Sequence, residues 1–176
     1  ANEILGGNLG EYKFVHPNDH VNMSQSTNDT FPTAILVGCV LSVEDNLLPV
    51  LRLLEKSLQK KSKEFDKIIK VGRTHLQDAT PIKLGQEFSG YASMISHDIK
   101  RITLAIKECT ELPIGGTAVG TGINTPEGYA NLVSKKIAEF TQLPFVSADN
   151  KFEALAAHDA IVESHNALKQ LAVSLN

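Results

Sequence analysis

The sequence has very few cysteines: only Cys39 and Cys109 occur among its 176 residues. Two cysteines are too few for the disulfide framework of a small secreted domain. Both fall within helix-like patterns, so we predict that they are reduced, buried packing residues. This cysteine usage favours a reducing compartment.

The sequence also lacks a large excess of either charge and a long apolar run. Its 17 Lys and Arg residues stand against 20 Asp and Glu residues, which gives a net charge of −3. We therefore expect no nucleic-acid partner bound through bulk charge. The most apolar run, residues 34–43, is too short for a bilayer, which needs ~20 residues. No membrane partner is expected either.

Familiar metal and nucleotide motifs are missing. His16 and His20 are four residues apart, but Pro17-Asn18-Asp19 between them predicts a tight turn, so we expect no metal site. The glycine-rich loop from Gly115 to Gly122 is not followed by Lys-Ser or Lys-Thr and does not match Gly-x-Gly-x-x-Gly, so it is neither a P-loop nor a dinucleotide fingerprint. The loop is either a flexible connector or a backbone that closely approaches a small ligand or another subunit.

What the sequence does contain is a series of helical patterns. In the third pattern, from Leu84 to Ile106, apolar residues recur every three or four positions, as expected for a helix about 40 Å long. The predicted helices cover about residues 30–48, 49–65, 83–109, 126–141 and 151–176, with N-caps at Asn28 or Thr30, at Thr125 and at Asn150 and with a break near residues 45–48. The predicted class is an all-α, long-helix bundle that forms a single partial domain over residues 1–176. Both ends fall within helical patterns, so we expect the chain to be part of a longer protein.

Two polar clusters lie beside these helices. Residues 71–81 follow a short extended run and contain Thr74 and His75, and Pro81 is predicted to open the next helix. Residues 24–29 place hydroxyl, amide and backbone N–H groups at a helix N-terminus, which suits a carboxylate ligand. The alternatives are an ordinary polar connector for the first cluster and simple helix capping for the second.

Taken together, these stretches resemble class II fumarase of the fumarase/aspartase superfamily. The resemblance extends over almost the whole chain in the family's order. The matching runs are His16-Pro17-Asn18-Asp19, Ser24 to Thr33, Gly72 to Ala79, Gly115 to Gly122 and Asn150 to Leu155.

The resemblance implies a central helical domain that assembles into a homotetramer, with active sites built from several subunits. It implies reversible hydration of fumarate to malate, so the expected partner is a small dicarboxylate substrate, and no cofactor or metal is needed. It also implies a place in the tricarboxylic acid cycle, in the cytoplasm or, for a eukaryote, the mitochondrial matrix.

Site residues follow from the same resemblance. Those implied to bind substrate carboxylates are Ser26, Thr27, Asn28 and Thr74. The implied acid–base residue, which handles the water added or lost at C2, is His75. A second, non-catalytic dicarboxylate site would be formed by His16, Pro17, Asn18 and Asp19.

The chain departs from the fumarase pattern in ways that keep alternatives open. Thr27 stands where fumarases usually have a second Ser and where aspartases often have Thr, so an aspartate ammonia-lyase is one alternative. A non-catalytic helical assembly module is another. The family's serine-bearing loop is absent from this chain, and we therefore expect the chain alone to be inactive.

Overall fold

The computed structural model describes residues 1–176 and consists of six α-helices and four short strands. The helices are α1 (Thr27–Ser42), α2 (Leu48–Glu64), α3 (Leu84–Glu108), α4 (Tyr129–Thr141), α5 (Lys151–Ala156) and α6 (Asp159–Leu175), and the strands are β1 (Ile69–Thr74), β2 (Gln77–Lys83), β3 (Glu111–Leu112) and β4 (Val146–Ser147). The strands form only two two-stranded sheets. The predicted all-α class is confirmed.

The chain forms two compact units. The first unit contains residues 1–37 and 110–158, and the second contains residues 38–109 and 159–176. The boundary falls within α1, so this helix contributes its first part to one unit and its last part to the other.

In the second unit α3 packs against both α2 and α6. The predicted apolar stripe of α3 is buried at Ile95, Ile102 and Ile106, which are each at most 3% exposed, whereas Tyr91 at its N-terminal end is 44% exposed. Leu48 of α2 and Leu171 of α6 are buried as well. Burying a side chain of this size stabilises the fold by roughly 1.5–3 kcal/mol, so each of these residues contributes to the stability of the unit.

In the first unit the core lies around a small parallel sheet. β3 pairs with β4, and α4 packs against β4. Leu112 and Phe145, at 0% and 3% exposure, fill this core. β3 leads into the glycine-rich loop and β4 leads into α5, so their pairing holds the starts of these two segments next to each other.

The polar stretch 71–81 is a β-hairpin rather than a connector. β1 and β2 are antiparallel, with Val71 opposite Pro81 and Thr74 opposite Gln77. The prediction that Pro81 opens a helix is wrong, since α3 begins at Leu84. A two-stranded ribbon has only edge strands, which tolerate a proline that lacks an N–H donor.

The start of α1 also differs from the prediction. The helix begins at Thr27, so neither Asn28 nor Thr30 is its N-cap, and Pro32 lies inside the helix. The N-cap is Ser26: its Oγ accepts from the Asn28 N–H, and its own N–H donates to Asp29. This is a capping box, with Asp29 in the position that Glu or Gln often takes.

The break predicted near residues 45–48 is a π-helical turn, Val43–Leu47, between α1 and α2. The helical run from Thr27 to Glu64 is therefore 38 residues long and, by length and composition alone, is long and apolar enough to cross a membrane. The uninterrupted apolar run within it, residues 34–43, is the ten-residue stretch identified from the sequence. A single run of this kind is weak evidence, because core helices of proteins outside membranes have the same properties.

The structure corrects three further helix predictions: the start of α4, the continuity of the last helix and the end of α3. α4 begins at Tyr129 rather than Pro126, because its N-cap, Gly128, has a left-handed backbone with φ +76° that interrupts the helix. The Thr125 hydroxyl, which was predicted to cap the helix, donates to the Gly122 carbonyl instead. The predicted last helix is divided into α5 and α6, because Ala157 is extended. The Asn150 cap is confirmed: its Oδ1 accepts from the Phe152 and Glu153 N–H groups. The helix-like pattern that holds Cys109 ends one residue earlier, at Glu108.

Both cysteines are free thiols, as predicted. Cys109 is fully buried, whereas Cys39 is only half-buried. Burial raises the pKa of the Cys109 thiol, although a hydrogen-bonding contact with Ser164 works in the opposite direction. A thiol kept neutral in this way is a packing residue.

Candidate functional site

The carboxylate of Asp29 joins the start of α1 to the glycine-rich loop. Asp29 is fully buried. Its Oδ1 accepts from the Ser26 N–H at 2.9 Å, and its Oδ2 accepts from the Gly115 and Thr117 N–H groups at 3.0 Å each. Hydrogen bonds to a charged acceptor are stronger than neutral ones, at about 1.5–3 kcal/mol each. Asp29 therefore clamps the loop onto the mouth of the helix.

The loop is shaped to make this approach possible. Gly115 has φ +89°, and a Cβ on it would lie 2.8 Å from the Ala130 Cα. Gly120 has φ +103°, and a Cβ there would lie 3.1 Å from the Phe152 Cα. Both positions need glycine because the backbone is left-handed and because α4 and α5 lie directly against it. The loop is therefore a packed segment, which decides against the flexible-connector interpretation.

A small cavity of about 290 Å³ opens beside the clamp. Its walls come from the turn before α1 and from the glycine-rich loop. The lining residues are Ser24, Gln25, Ser26, Thr117, Ala118, Ile123 and Asn124. This volume is at the lower end of the ~300–1,000 Å³ found for drug-sized ligands, so the cavity suits a small molecule.

The helix mouth carries more polar groups than capping needs. Ser26 and Asp29 satisfy the cap between them. The Asn28 amide instead crosses to the loop, where its Nδ2 donates to the Ala118 carbonyl at 2.9 Å. Thr27 is exposed at the first helical position. These hydroxyl and amide donors suit a carboxylate or another small anion, and they do so as hydrogen-bond donors, because the Asp29 carboxylate in the first turn offsets the positive end of the helix dipole.

In the same unit, the Lys151 side chain links the start of α5 to the strands β3 and β4. Its Nζ donates to the Leu112 carbonyl, the Ser147 hydroxyl and the Ala148 carbonyl, at 3.1, 2.6 and 2.7 Å. Burial lowers the pKa of Lys151, and the nearby carboxylates of Asp149 and Asp29 act in the opposite direction. A half-buried ammonium with three acceptors holds the β3 and β4 segments and the start of α5 together.

Thr74 and His75 lie at the tip of the β1–β2 hairpin, in the other unit. Both are exposed. His75 and Leu76, the two central residues of the turn, have φ +50° and +61°, and Leu76 is 96% exposed. Two positive φ values fit the twist of a hairpin turn, and His adopts them more often than most residues, whereas they are uncommon for Leu. Such strain at an exposed tip is typical of functional positions.

His16 organises the turn that contains the predicted second anion site. Residues 17–21 form one π-helical turn rather than the tight turn that was predicted, with His16 as its N-cap. The His16 Nδ1 accepts from the Asn18 and Asp19 N–H groups at 3.2 Å each. The same atom is 3.4 Å from an Asp19 carboxylate oxygen, a contact that would need a proton on Nδ1. The two N–H donors favour an unprotonated Nδ1, so His16 and Asp19 do not form an ion pair in this arrangement.

Of the predicted site residues, Ser26, Thr27 and Asn28 lie together at the mouth of α1. The role of Asp29 was missed, although the Ser-x-x-Asp spacing of a capping box could have indicated it. The role of Lys151 was missed as well, because no local pattern shows that a lysine will be half-buried.

The chain is similar to known proteins along its whole length. The model of a family described as lyase matches residues 1–176. The chain is 57% identical to a class II fumarate hydratase of Rhizobium meliloti over 99% of its length and 38% of that protein. It is also 57% identical to a mitochondrial fumarate hydratase of Rhizopus oryzae, over 99% of its length and 35% of that protein.

A solved structure gives the same result for the fold. The class II fumarase of Schistosoma mansoni has a TM-score of 0.94 and 37% sequence identity, and the match covers 99% of this chain and 40% of that one. The chain thus spans about two-fifths of the length of these relatives.

Replacing Asp29 by Asn should loosen the glycine-rich loop. An amide is uncharged, so both loop N–H groups lose their charged acceptor, and its NH2 group replaces one of the two acceptor oxygens that bond the loop and Ser26. Amide exchange over residues 113–120 should therefore be faster by about fivefold to a hundredfold. Hydrogen–deuterium exchange followed by mass spectrometry of the full-length protein measures this.

The matched control is Thr33→Val, which removes the buried bond from the Thr33 hydroxyl to the Asp29 carbonyl without touching the carboxylate. It should leave exchange over residues 113–120 unchanged. Exchange in Asp29→Asn equal to that of the unsubstituted protein would show that the carboxylate does not hold the loop.

Proposed function

The chain belongs to the lyase family, which it matches along its whole length, and from that premise we propose that it is the central part of a class II fumarate hydratase. The reaction is the reversible addition of water to fumarate, which gives malate. The observation that carries the proposal is the anion-favouring cavity at the mouth of α1, clamped by Asp29.

The reaction needs a site that binds two carboxylates and holds the four-carbon chain between them. Ser26, Thr27 and Asn28 at the mouth of α1 hold one carboxylate, and Thr74 contributes to carboxylate binding from the hairpin. In the dehydration direction, loss of the C3 proton places extra negative charge on the adjacent carboxylate. Preorganised N–H and O–H donors stabilise that charge in the transition state.

His75 handles the water. In dehydration its protonated imidazole donates a proton to the leaving hydroxyl while the C2–O bond breaks. In hydration the neutral imidazole accepts a proton from the attacking water. An imidazole can do both near neutral pH. Its position on an exposed hairpin tip supports this role, because the tip can reach into a site formed by another subunit. The base that removes the C3 proton belongs to the family's serine-bearing loop, which this chain does not include.

The proposal includes an oligomer. Only 28% of the most apolar window in the α1–α2 run is buried within the chain, and Phe31 and Ile35 of α1 are exposed. An apolar helical face of this kind suits packing against other copies of the chain. A homotetramer in which the mouth of α1 and the His75 hairpin meet from different subunits completes the site. The compartment is the cytoplasm or, in a eukaryote, the mitochondrial matrix.

The turn after His16 is proposed as a second dicarboxylate site, formed by His16, Pro17, Asn18 and Asp19. It plays no part in catalysis. Because the Asn18 and Asp19 N–H groups already donate to His16, a bound carboxylate must displace the imidazole or use other donors. Binding there is therefore weaker than at the mouth of α1.

The full-length protein should hydrate fumarate, and His75→Asn should lower kcat for malate dehydration by about 100-fold to 10,000-fold, the usual contribution of a general acid or base. The matched control is His165→Asn, at an exposed position on α6, which should retain full activity. Fumarate absorbance measures both variants.

The same assay with aspartate separates the competing functions. Thr27 favours aspartate ammonia-lyase, and turnover of aspartate without turnover of malate would replace the fumarase proposal. Activity of His75→Asn equal to that of the unsubstituted enzyme would contradict the acid–base role. Absence of turnover on both substrates would favour a non-catalytic assembly module.

Mixing two inactive variants tests whether the site is shared between subunits. Asn28→Ala damages the helix mouth and His75→Asn damages the hairpin, but a mixed tetramer contains some sites with both parts intact. After dissociation and reassembly of an equal mixture, activity should return to about a quarter of the unsubstituted value, because each part has an even chance of being intact. No recovery, with mixed tetramers confirmed by native mass spectrometry, would place both residues in one subunit's site.

A further inference from the structure

One hydroxyl in the cavity at the mouth of α1 has no partner. Thr117 is 5% exposed, and its Oγ1 is inaccessible to water and makes no hydrogen bond. A buried hydroxyl without a partner costs about 1–3 kcal/mol. Natural proteins keep few such groups, and each one calls for an explanation.

The backbone at the same residue is strained. Thr117 has φ +56°, an outlier for a β-branched residue. The conformation is held in place because the Thr117 N–H donates to the Asp29 carboxylate and the Ala118 carbonyl accepts from Asn28. Thr117 thus combines a strained backbone, an unpaired hydroxyl and hydrogen bonds that hold the backbone in place. This combination is more typical of a functional residue than of a packing residue.

The location of Thr117 indicates what the hydroxyl is for. Thr117 lines the same cavity as Ser26, whose hydroxyl is turned to the Asn28 N–H. We propose that the Thr117 hydroxyl is an additional donor to the substrate carboxylate bound at the mouth of α1. This inference rests on the proposed function and adds a substrate-binding residue from the glycine-rich loop to those of α1.

The chemistry is a single hydrogen bond. The carboxylate oxygen accepts from Thr117 Oγ1 after a rotation about the side chain's first torsion, and no covalent bond changes. The hydroxyl makes no hydrogen bond in the free protein, so no existing hydrogen bond has to be broken when the carboxylate binds. A preorganised donor of this kind selects for a ligand with a carboxylate at that end.

The test compares two pairs of variants in the full-length protein. Thr117→Val removes the hydroxyl at constant shape, and Thr121→Val makes the same change at an exposed position of the loop outside this cavity. Thr117→Ala and Thr117→Ser both lack the methyl group and differ only in the hydroxyl. The readouts are succinate binding by isothermal titration calorimetry, KM and kcat for malate, and the unfolding midpoint.

We expect Thr117→Val and Thr117→Ala to weaken succinate binding by about tenfold to a hundredfold, the range for a hydrogen bond to a charged group. Thr117→Ser and Thr121→Val should bind within about threefold of the unsubstituted protein. The unfolding midpoint of Thr117→Val should be unchanged or higher, because the hydroxyl has no partner to lose. If Thr117→Val does not fold, the Ala and Ser variants decide alone.

Three results would overturn the inference. Equal succinate binding by Thr117→Ala and Thr117→Ser would show that the hydroxyl does not touch the carboxylate. A midpoint lowered in Thr117→Val but not in Thr121→Val would show that the hydroxyl has a structural partner in the free protein. If the unsubstituted protein neither binds succinate nor turns over malate, the proposed function fails as well, whereas intact malate turnover with unaltered Thr117 variants refutes this inference alone.

Discussion

Everything at the candidate site depends on one buried carboxylate. Asp29 accepts one N–H from its own helix cap and two from a loop that lies more than 80 positions away in the chain. Without a charged acceptor there, the two loop N–H groups would be buried and unpaired, which is costly. The carboxylate thus brings the cavity walls together.

The glycine-rich loop and the hairpin tip both contain residues with positive φ values, but they accommodate them in different ways. At Gly115 and Gly120 the backbone conformation is permitted by glycine and enforced by the helices packed against it. At His75 and Thr117 similar positive φ values occur in residues with side chains. Surrounding contacts must offset that strain, which also occurs at Ser24, Leu76, Asn124 and Gln142, so a positive φ supports a role only together with a second observation such as the unpaired hydroxyl of Thr117.

Much of the fold could be predicted because apolar residues that recur every three or four positions indicate where helices form. The cap at Asn150 and the stripe of α3 are local patterns; the cap is confirmed, and the stripe is confirmed from Ile95 to Ile106. The hairpin was missed because its turn uses His75 and Leu76 instead of the Asn-Gly or Asp-Gly pair that signals such a turn. The division of the last helix at Ala157 had no local signal, since alanine favours helices.

The site was only partly predictable for a related reason. Helix-mouth donors are visible in the sequence at Ser26 and Asn28, and the resemblance to the fumarase/aspartase superfamily is confirmed by membership of the lyase family. The burial of Asp29, Thr117 and Lys151 depends on contacts between distant segments. Sequence spacing cannot show such contacts, so the structure was needed to identify the clamp and the unpaired hydroxyl.

The most direct test of the central claim is a crystal structure of the full-length protein with a four-carbon dicarboxylate bound. The account predicts one carboxylate within hydrogen-bonding distance of Ser26 and Asn28, beside a loop still held by Asp29, with His75 of another subunit near C2. A dicarboxylate bound elsewhere, with the cavity at the mouth of α1 empty and no imidazole near it, would contradict the account.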